Sequence, residues 1–165
     1  MRLQIKPQRW MCLPTSFAMA LDVPLAEVLY LLGHDGSAIQ WPNLPEPLCR
    51  RGFHPQELLY VCLARGCAAT RFELAPALTP GYGSREFRIL SEARSWLLFR
   101  SLIQHSRGVI EGVAEGEGQR CGHAVAYDHG RIFDPDGAEY PYSRDACEAR
   151  GFFTQNLWRI DRIGG

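Results

Sequence analysis

The chain has 165 residues, 46% of them hydrophobic, with Lys plus Arg equal to Asp plus Glu at 18 each; this suits one domain with a real core spanning 1–165 and is too short for two ordinary ones. Balanced charge leaves no overall field to hold a phosphate backbone or an anionic membrane, so neither nucleic acid nor a bilayer is an expected partner. No apolar run is long enough to span a membrane, and Arg2, Lys6, Pro7 and Arg9 lack the apolar stretch of a secretory signal behind them.

In chain order, Leu3-Gln4-Ile5 reads as a short strand, and Pro7 keeps Lys6 extended. From Gln8 to Leu21 the chain places one cysteine at the mouth of a helix. Pro14 suits a first helical turn, where its missing N–H costs nothing, and Ala18, Met19, Ala20 and Leu21 are good helix formers. Cys12 therefore sits where unpaired backbone N–H groups and the positive end of the helix dipole favour a negatively charged sulfur. The alternative is one more buried cysteine, since free Cys is among the most buried residue types.

A second helix is expected between Asp22 and Gly33, with Pro24 in its first turn, Gly33 as its stop and Leu25, Val28, Leu29 and Leu32 facing the core. His34 to Pro47, with Gly36, Pro42, Pro45 and Pro47, reads as an extended loop. Its apolar Ile39, Trp41 and Leu44, together with Trp10, are candidates for a substrate groove; the alternative is that they pin the loop to the core.

A third helix runs between Gly52 and Gly66, with Pro55 near its start and a buried stripe of Leu58, Leu59, Cys62 and Leu63. Cys67 to Leu74 alternates as a strand. Ser91 to His105 is a fourth helix with Trp96, Leu97, Phe99, Leu102 and Ile103 on its apolar face. Arg107 to Val113 is a strand, and Ala114 to Arg120 a polar, glycine-rich tip. The chain then returns as Cys121-Gly122-His123-Ala124-Val125, turns at Asp128-His129-Gly130 and continues to Phe133-Asp134-Pro135. A short extended piece at Tyr140-Pro141-Tyr142 and a closing strand from Phe152 to Ile160 complete the chain. Helices early and strands late argue for an α+β fold over alternating α/β.

Six cysteines, Cys12, Cys49, Cys62, Cys67, Cys121 and Cys147, are expected as reduced thiols in a cytoplasmic protein, because a chain with a core of this size needs no disulfides. Cys62 and Cys67 lack a second Cys or His pair at zinc spacing, so no metal is expected.

His123 near the start of one strand and Asp134 near the end of the next face each other across an antiparallel ladder. A cysteine nucleophile needs a base that takes a proton and returns it to the leaving amine, and a carboxylate that holds the imidazole in one tautomer. Cys12, His123 and Asp134 are the candidates for those roles; the alternative for His123 is an ordinary hydrogen-bonded core histidine. Asp128 and Asp136 are expected on turns and His129 at a hairpin tip, away from the site.

Gln8, Cys12-Leu13-Pro14 at a helix start, Gly122-His123-Ala124 on a strand and Phe133-Asp134-Pro135 at the end of the next strand together resemble the papain-like cysteine peptidases. Within them the chain is similar to the compact bacterial and phage branch that includes the double-glycine leader peptidases of bacteriocin exporters. About a dozen positions, in order along most of the chain, carry the likeness. The resemblance implies N-terminal helices packed on a C-terminal antiparallel sheet, and hydrolysis of a peptide or isopeptide bond in a peptide or protein substrate. It implies no cofactor, and an oxyanion hole from the Gln8 side chain and the Cys12 N–H, with Gln4 a weaker candidate at wider spacing. Leu13 follows the cysteine where those relatives usually carry glycine. That departure and the long proline-rich loop also admit a different function: a binding or inhibitory protein, for instance phage-encoded, that keeps the scaffold and not the turnover. The terminal Gly164-Gly165 pair invites self-processing, although a frayed tail is the commoner reason for such an ending.

Overall fold

The computed structural model describes residues 1–38, 52–74, 92–116 and 119–164. Among them are five helices and six strands, in the order α1 (Cys12–Leu21), α2 (Leu25–Leu32), α3 (Pro55–Ala64), β1 (Cys67–Glu73), α4 (Glu92–His105), β2 (Arg107–Gly116), β3 (Gln119–Asp128), β4 (Arg131–Asp134), β5 (Ala138–Pro141), α5 (Arg144–Glu148) and β6 (Phe152–Arg162). The strands form one antiparallel sheet with spatial order β1-β6-β2-β3-β4-β5. The expected α+β class holds, with β1 preceding α4 rather than all helices coming first.

Strand alternation sends side chains to both faces of this sheet, and helices cover each. Val109, Ala124, Trp158 and Ile160 pack with α1, α2 and α3 on one face. Ile110, Val125, Tyr127 and Leu157 pack on the other with Phe99 and Ile103 of α4 and Cys147 of α5. Among the described residues no single helix is long and apolar enough to cross a membrane.

α1 is the central helix, with every residue from Leu13 to Ala20 buried. Ser16 Oγ donates to the Ala124 carbonyl at 2.9 Å, tying α1 to β3. Asp22, expected in the second helix, instead ends the first: it takes a left-handed conformation at φ 61°, and the Val23 N–H returns to the Ala18 carbonyl at 3.0 Å. In α2 only Val28 is fully enclosed, while Leu25, Leu29 and Leu32 are half-buried against the same core. α3 begins with Pro55 at N1 behind a capping box formed by His54 and Glu57.

Two apolar residues leave their expected faces. Leu63 is 61% exposed, and Val61 takes the buried place on α3. Leu97 is 67% exposed, because the buried stripe of α4 runs through Phe99 and Ile103, four residues apart, and Leu97 lies off that line.

Residues 1–6 form no strand. The Gln4 N–H goes to the Met19 sulfur at 3.2 Å and the Lys6 N–H to the Pro135 carbonyl at 3.0 Å, so the backbone is tied to two separate elements and no ladder forms. The Gln4 side chain bridges the α1–α2 junction, donating to the Val23 carbonyl at 2.7 Å and accepting from the Leu25 N–H at 2.9 Å.

The β2–β3 ladder runs out to Gly116 opposite Gln119, so most of the expected tip is strand. β3 turns into β4 through His129 and Gly130, both at positive φ (46° and 83°), as a two-residue hairpin turn requires. The short helix α5, capped by the Ser143 hydroxyl on the Ala146 N–H at 3.0 Å, carries too few residues for a periodicity to announce it.

Gly112, opposite His123 in the ladder, permits the close approach of β2 to β6: a Cβ there would lie 2.1 Å from the Phe153 carbonyl oxygen. Gly112→Ala is expected to lower the urea-unfolding free energy by about 1–3 kcal/mol. Gly122→Ala, whose added Cβ meets nothing within 4 Å, should stay within about 0.5 kcal/mol of the parent.

Candidate active site

Cys12 is the first residue of α1 and lines a cleft of about 620 Å³ with Arg9, Trp10 and Leu13. The start of α3 (Phe53, His54, Pro55, Gln56) forms one wall, and Glu111–Val113, Gly122–Ala124, Gln155, Asn156 and Trp158 of the sheet form the floor.

His123 comes from β3 and Asp134 from the end of β4, each only 8% exposed. They are not directly opposite. The β3–β4 ladder stops at Ala126 and Phe133, so Asp134 lies diagonally from His123 and reaches it with its side chain, Oδ1 standing 3.1 Å from Nε2. The Asp136 N–H donates to the same Oδ1 at 2.9 Å, and the Gly137 N–H to the Asp134 carbonyl at 2.9 Å. The imidazole packs edge-on against Phe152, with ring centroids 5.4 Å apart.

With Nε2 engaged by Asp134, Nδ1 is the nitrogen available to the Cys12 sulfur. Burial alone would depress the His123 pKa; the hydrogen bonds and negative charges of Asp134 and Cys12 outweigh it and push it up to about 9. Burial raises Asp134, but the hydrogen bond and charge of His123, the Asp136 N–H and the Lys6 charge together hold it below the usual carboxylate range. Cys12 and His123 thus line one cleft and interact electrostatically, while Asp134 holds the imidazole at Nε2.

No known family model matches the chain, and no curated protein matches it in sequence.

Gln8 is not brought into this group. It is exposed and does not line the cleft; its carbonyl accepts from the Met11 N–H at 3.0 Å, which turns the chain just before α1. Gln4 is spent on the α1–α2 junction. The helix start itself offers donors: no side chain caps α1, and Pro14 has no N–H. Among the described residues the Cys12 and Leu13 N–H groups meet no acceptor.

Trp10 lines the cleft and donates from Nε1 to the Asp35 carbonyl at 3.1 Å. Ile39, Trp41 and Leu44 lie outside the described residues, as does Gly165; Gly164 is exposed. Asp128 and His129 sit at the far hairpin turn, bonded to each other at 2.7 Å. Asp136 is nearer than the sequence reading allowed, with Oδ2 3.9 Å from His123 Nε2.

His123, Asp134 and Asp136 offer three potential ligand atoms within 4.8 Å of one another. His123 is nonetheless a poor metal ligand, because its Nε2 proton is given to Asp134 and metal binding needs that nitrogen bare. Cys62 is buried and its thiol is pushed up to about 12 by desolvation, so it is inert packing.

Gln155 and Asn156 on the cleft floor had no signature in the sequence. A register shift in the β2–β6 ladder pairs Glu111 with Asn156 but Gly112 with Thr154, so Gln155 is the extra residue of a bulge. Bulges re-aim side chains beside active sites and are invisible to a period of two.

The raised pKa of His123 has a direction in stability. A group whose folded pKa exceeds its unfolded value contributes fully below about 6.5 and loses that contribution as pH rises through about 9. The stability difference between the parent and Asp134→Asn, measured by urea unfolding, should therefore be largest near pH 6 to 7 and shrink toward pH 9.5. Taking the difference removes the shared ionisation of the buried thiols in the unfolded chain.

Proposed function

We propose that the chain is a cysteine hydrolase with a papain-like arrangement, cleaving a peptide or isopeptide bond in a peptide or protein substrate. The observation that carries this is the imidazole of His123, held at Nε2 by Asp134 and set against Cys12 at the uncapped start of a helix, in an open cleft.

In this reading the Cys12 sulfur attacks the substrate carbonyl carbon. The oxygen takes up the electron pair of the C=O bond and is received by the Cys12 and Leu13 N–H groups. His123, protonated at neutral pH, gives its proton to the departing amine as the C–N bond breaks, leaving a thioester on Cys12. Neutral His123 then takes a proton from water, whose oxygen attacks the thioester and releases the acid and the sulfur. Asp134 keeps one tautomer throughout and stabilises the imidazolium. A reducing, cytoplasmic setting would keep the thiol available, and neither metal nor organic cofactor enters any step.

A second reading, a binding or inhibitory protein on the same scaffold, is favoured by two observations: the branched Leu13 side chain on the cleft wall and Gln8 standing outside it. Cys12→Ser separates the two, because a binder keeps its biological effect without the sulfur.

Cys12→Ala should abolish both hydrolysis and labelling by a thiol-directed probe while circular dichroism stays that of the folded parent; equal labelling of the two proteins would remove the proposal. Gln8→Ala is expected to lower kcat/KM by less than about tenfold. Loss of a working oxyanion donor costs about 10²–10³-fold, and a loss of that size would mean that Gln8 swings into the cleft when substrate binds.

A further inference from the structure

The turn that follows the orienting carboxylate carries a second one. Asp136 Oδ2 stands 3.9 Å from the same His123 nitrogen that Asp134 engages. It is kept from closing that distance by Lys6, whose Nζ is 2.6 Å from Asp136 Oδ1. Lys6 is also bound through its backbone, its N–H donating to the Pro135 carbonyl at 3.0 Å, and its side chain is only 16% exposed against 56% for Asp136. It lies six residues before Cys12, on the segment that leads into α1. One residue therefore joins the chain approaching the nucleophile to the turn carrying the carboxylate.

We propose that Lys6 and Asp136 are positioning residues of this site: Lys6 holds the Asp136 carboxylate off the His123 ring and cancels its charge, so that Asp134 alone orients the imidazole. The inference rests on the reading of Cys12 and His123 as the working pair. Among the described residues the charged groups around His123 are Cys12 from α1, Asp134 and Asp136 from the end of β4 and its turn, and Lys6 from the N-terminal segment, with Glu111 of β2 and Arg9 farther along the same cleft. With Lys6 present, the two carboxylates and the ammonium sum to one negative charge beside one imidazolium. Without it they sum to two, the proton is held more tightly, and the freed Asp136 competes for the N–H that fixes the ring. An imidazole that holds its proton too tightly is a worse donor to the leaving amine. The competition also turns the ring away from the orientation that presents Nδ1 to sulfur.

The test is a charge cycle on the full-length chain, read without any substrate. The titration midpoint of the His123 ring is followed by NMR, and the rate of Cys12 carbamidomethylation by iodoacetamide is followed against pH by mass spectrometry. In Lys6→Met the His123 midpoint should rise by about half to one pH unit, the scale set by one unit charge a few ångströms away near a surface. Lys6→Arg should stay near the parent. Asp136→Asn should lower the midpoint, and the double variant Lys6→Met/Asp136→Asn should return close to the parent, because the harm of losing Lys6 is the unopposed charge of Asp136. The alkaline limb of Cys12 alkylation should follow the same order. An unmoved midpoint in Lys6→Met, or an upward shift that persists in the double variant, overturns the proposal. Should Lys6→Met fail to fold, Asp136→Asn on its exposed turn decides, since a midpoint that does not fall overturns it equally. A Cys12 that alkylates normally but hydrolyses nothing counts against the hydrolase reading alone, because the NMR cycle needs no turnover.

Discussion

The hydrogen bond between His123 Nε2 and Asp134 Oδ1 is the contact on which the rest of the site depends. Both groups are buried, and a buried carboxylate or imidazolium without a partner costs several kcal/mol, far more than the pair contributes net. Each therefore holds the other in place. Asp134 is fixed twice more, at its side chain by the Asp136 N–H and at its carbonyl by the Gly137 N–H. The turn cannot relax without stranding the carboxylate, and the imidazole cannot turn without stranding its proton. Cys12 then has to reach the other side of the ring, and it is carried there by α1, whose residues Leu13 to Ala20 are all buried.

The architecture explains why the delivery is accurate. α1 crosses directly over β3, and the Ser16 hydroxyl binds the carbonyl of Ala124, the residue after His123. The helix of Cys12 is thus registered on the strand of His123 within one residue. β4 pairs with β3 over only three positions before it turns away. That early departure frees Asp134 from the ladder and lets its side chain reach across the diagonal, whereas continued pairing would put it opposite Val125 and out of reach of the ring.

The legible parts of the sequence were those where one residue type has one use. Prolines and glycines marked α2 and α3 to within a few residues because they act on the backbone alone. Cys12 and Asp134 stand where short-range pattern suggested, at a helix mouth and a strand end, whereas His123, expected near the start of its strand, lies in the middle of β3. What escaped depended on tertiary partners. Leu3-Gln4-Ile5 has strand composition, but Gln4 spends its side chain on the α1–α2 junction. Leu63 and Leu97 are apolar at near-helical spacing, and only the packing of the neighbouring layer decides which side of the stripe is covered. The bulge that turns Gln155 into the cleft arises from the mismatch of two strands, and neither strand records it alone. Gln8 had the right type and a plausible spacing, yet the turn closed by its own carbonyl points the residue to solvent.

Two helix starts open onto the same cleft, and they are treated differently. α3 is fully capped: the His54 ring accepts from the Gln56 N–H, and Glu57 reaches back to the His54 N–H at 2.6 Å. α1 has Met11 at its N-cap, a side chain with no capping oxygen. A Ser, Thr, Asp or Asn cap is worth about 1 kcal/mol in general, but here it would replace a Met11 side chain that is only 5% exposed in the core. Under the proposed hydrolase reading such a side chain would also occupy the donors that a developing oxyanion needs, and a carboxylate would place a like charge beside the sulfur. A rule of local stability is obeyed on one wall of the cleft and not on the other, at Met11, the residue before Cys12. Conflicts of this kind are expected at functional or strained positions, and under the proposed reading this one adjoins the sulfur that His123 would serve.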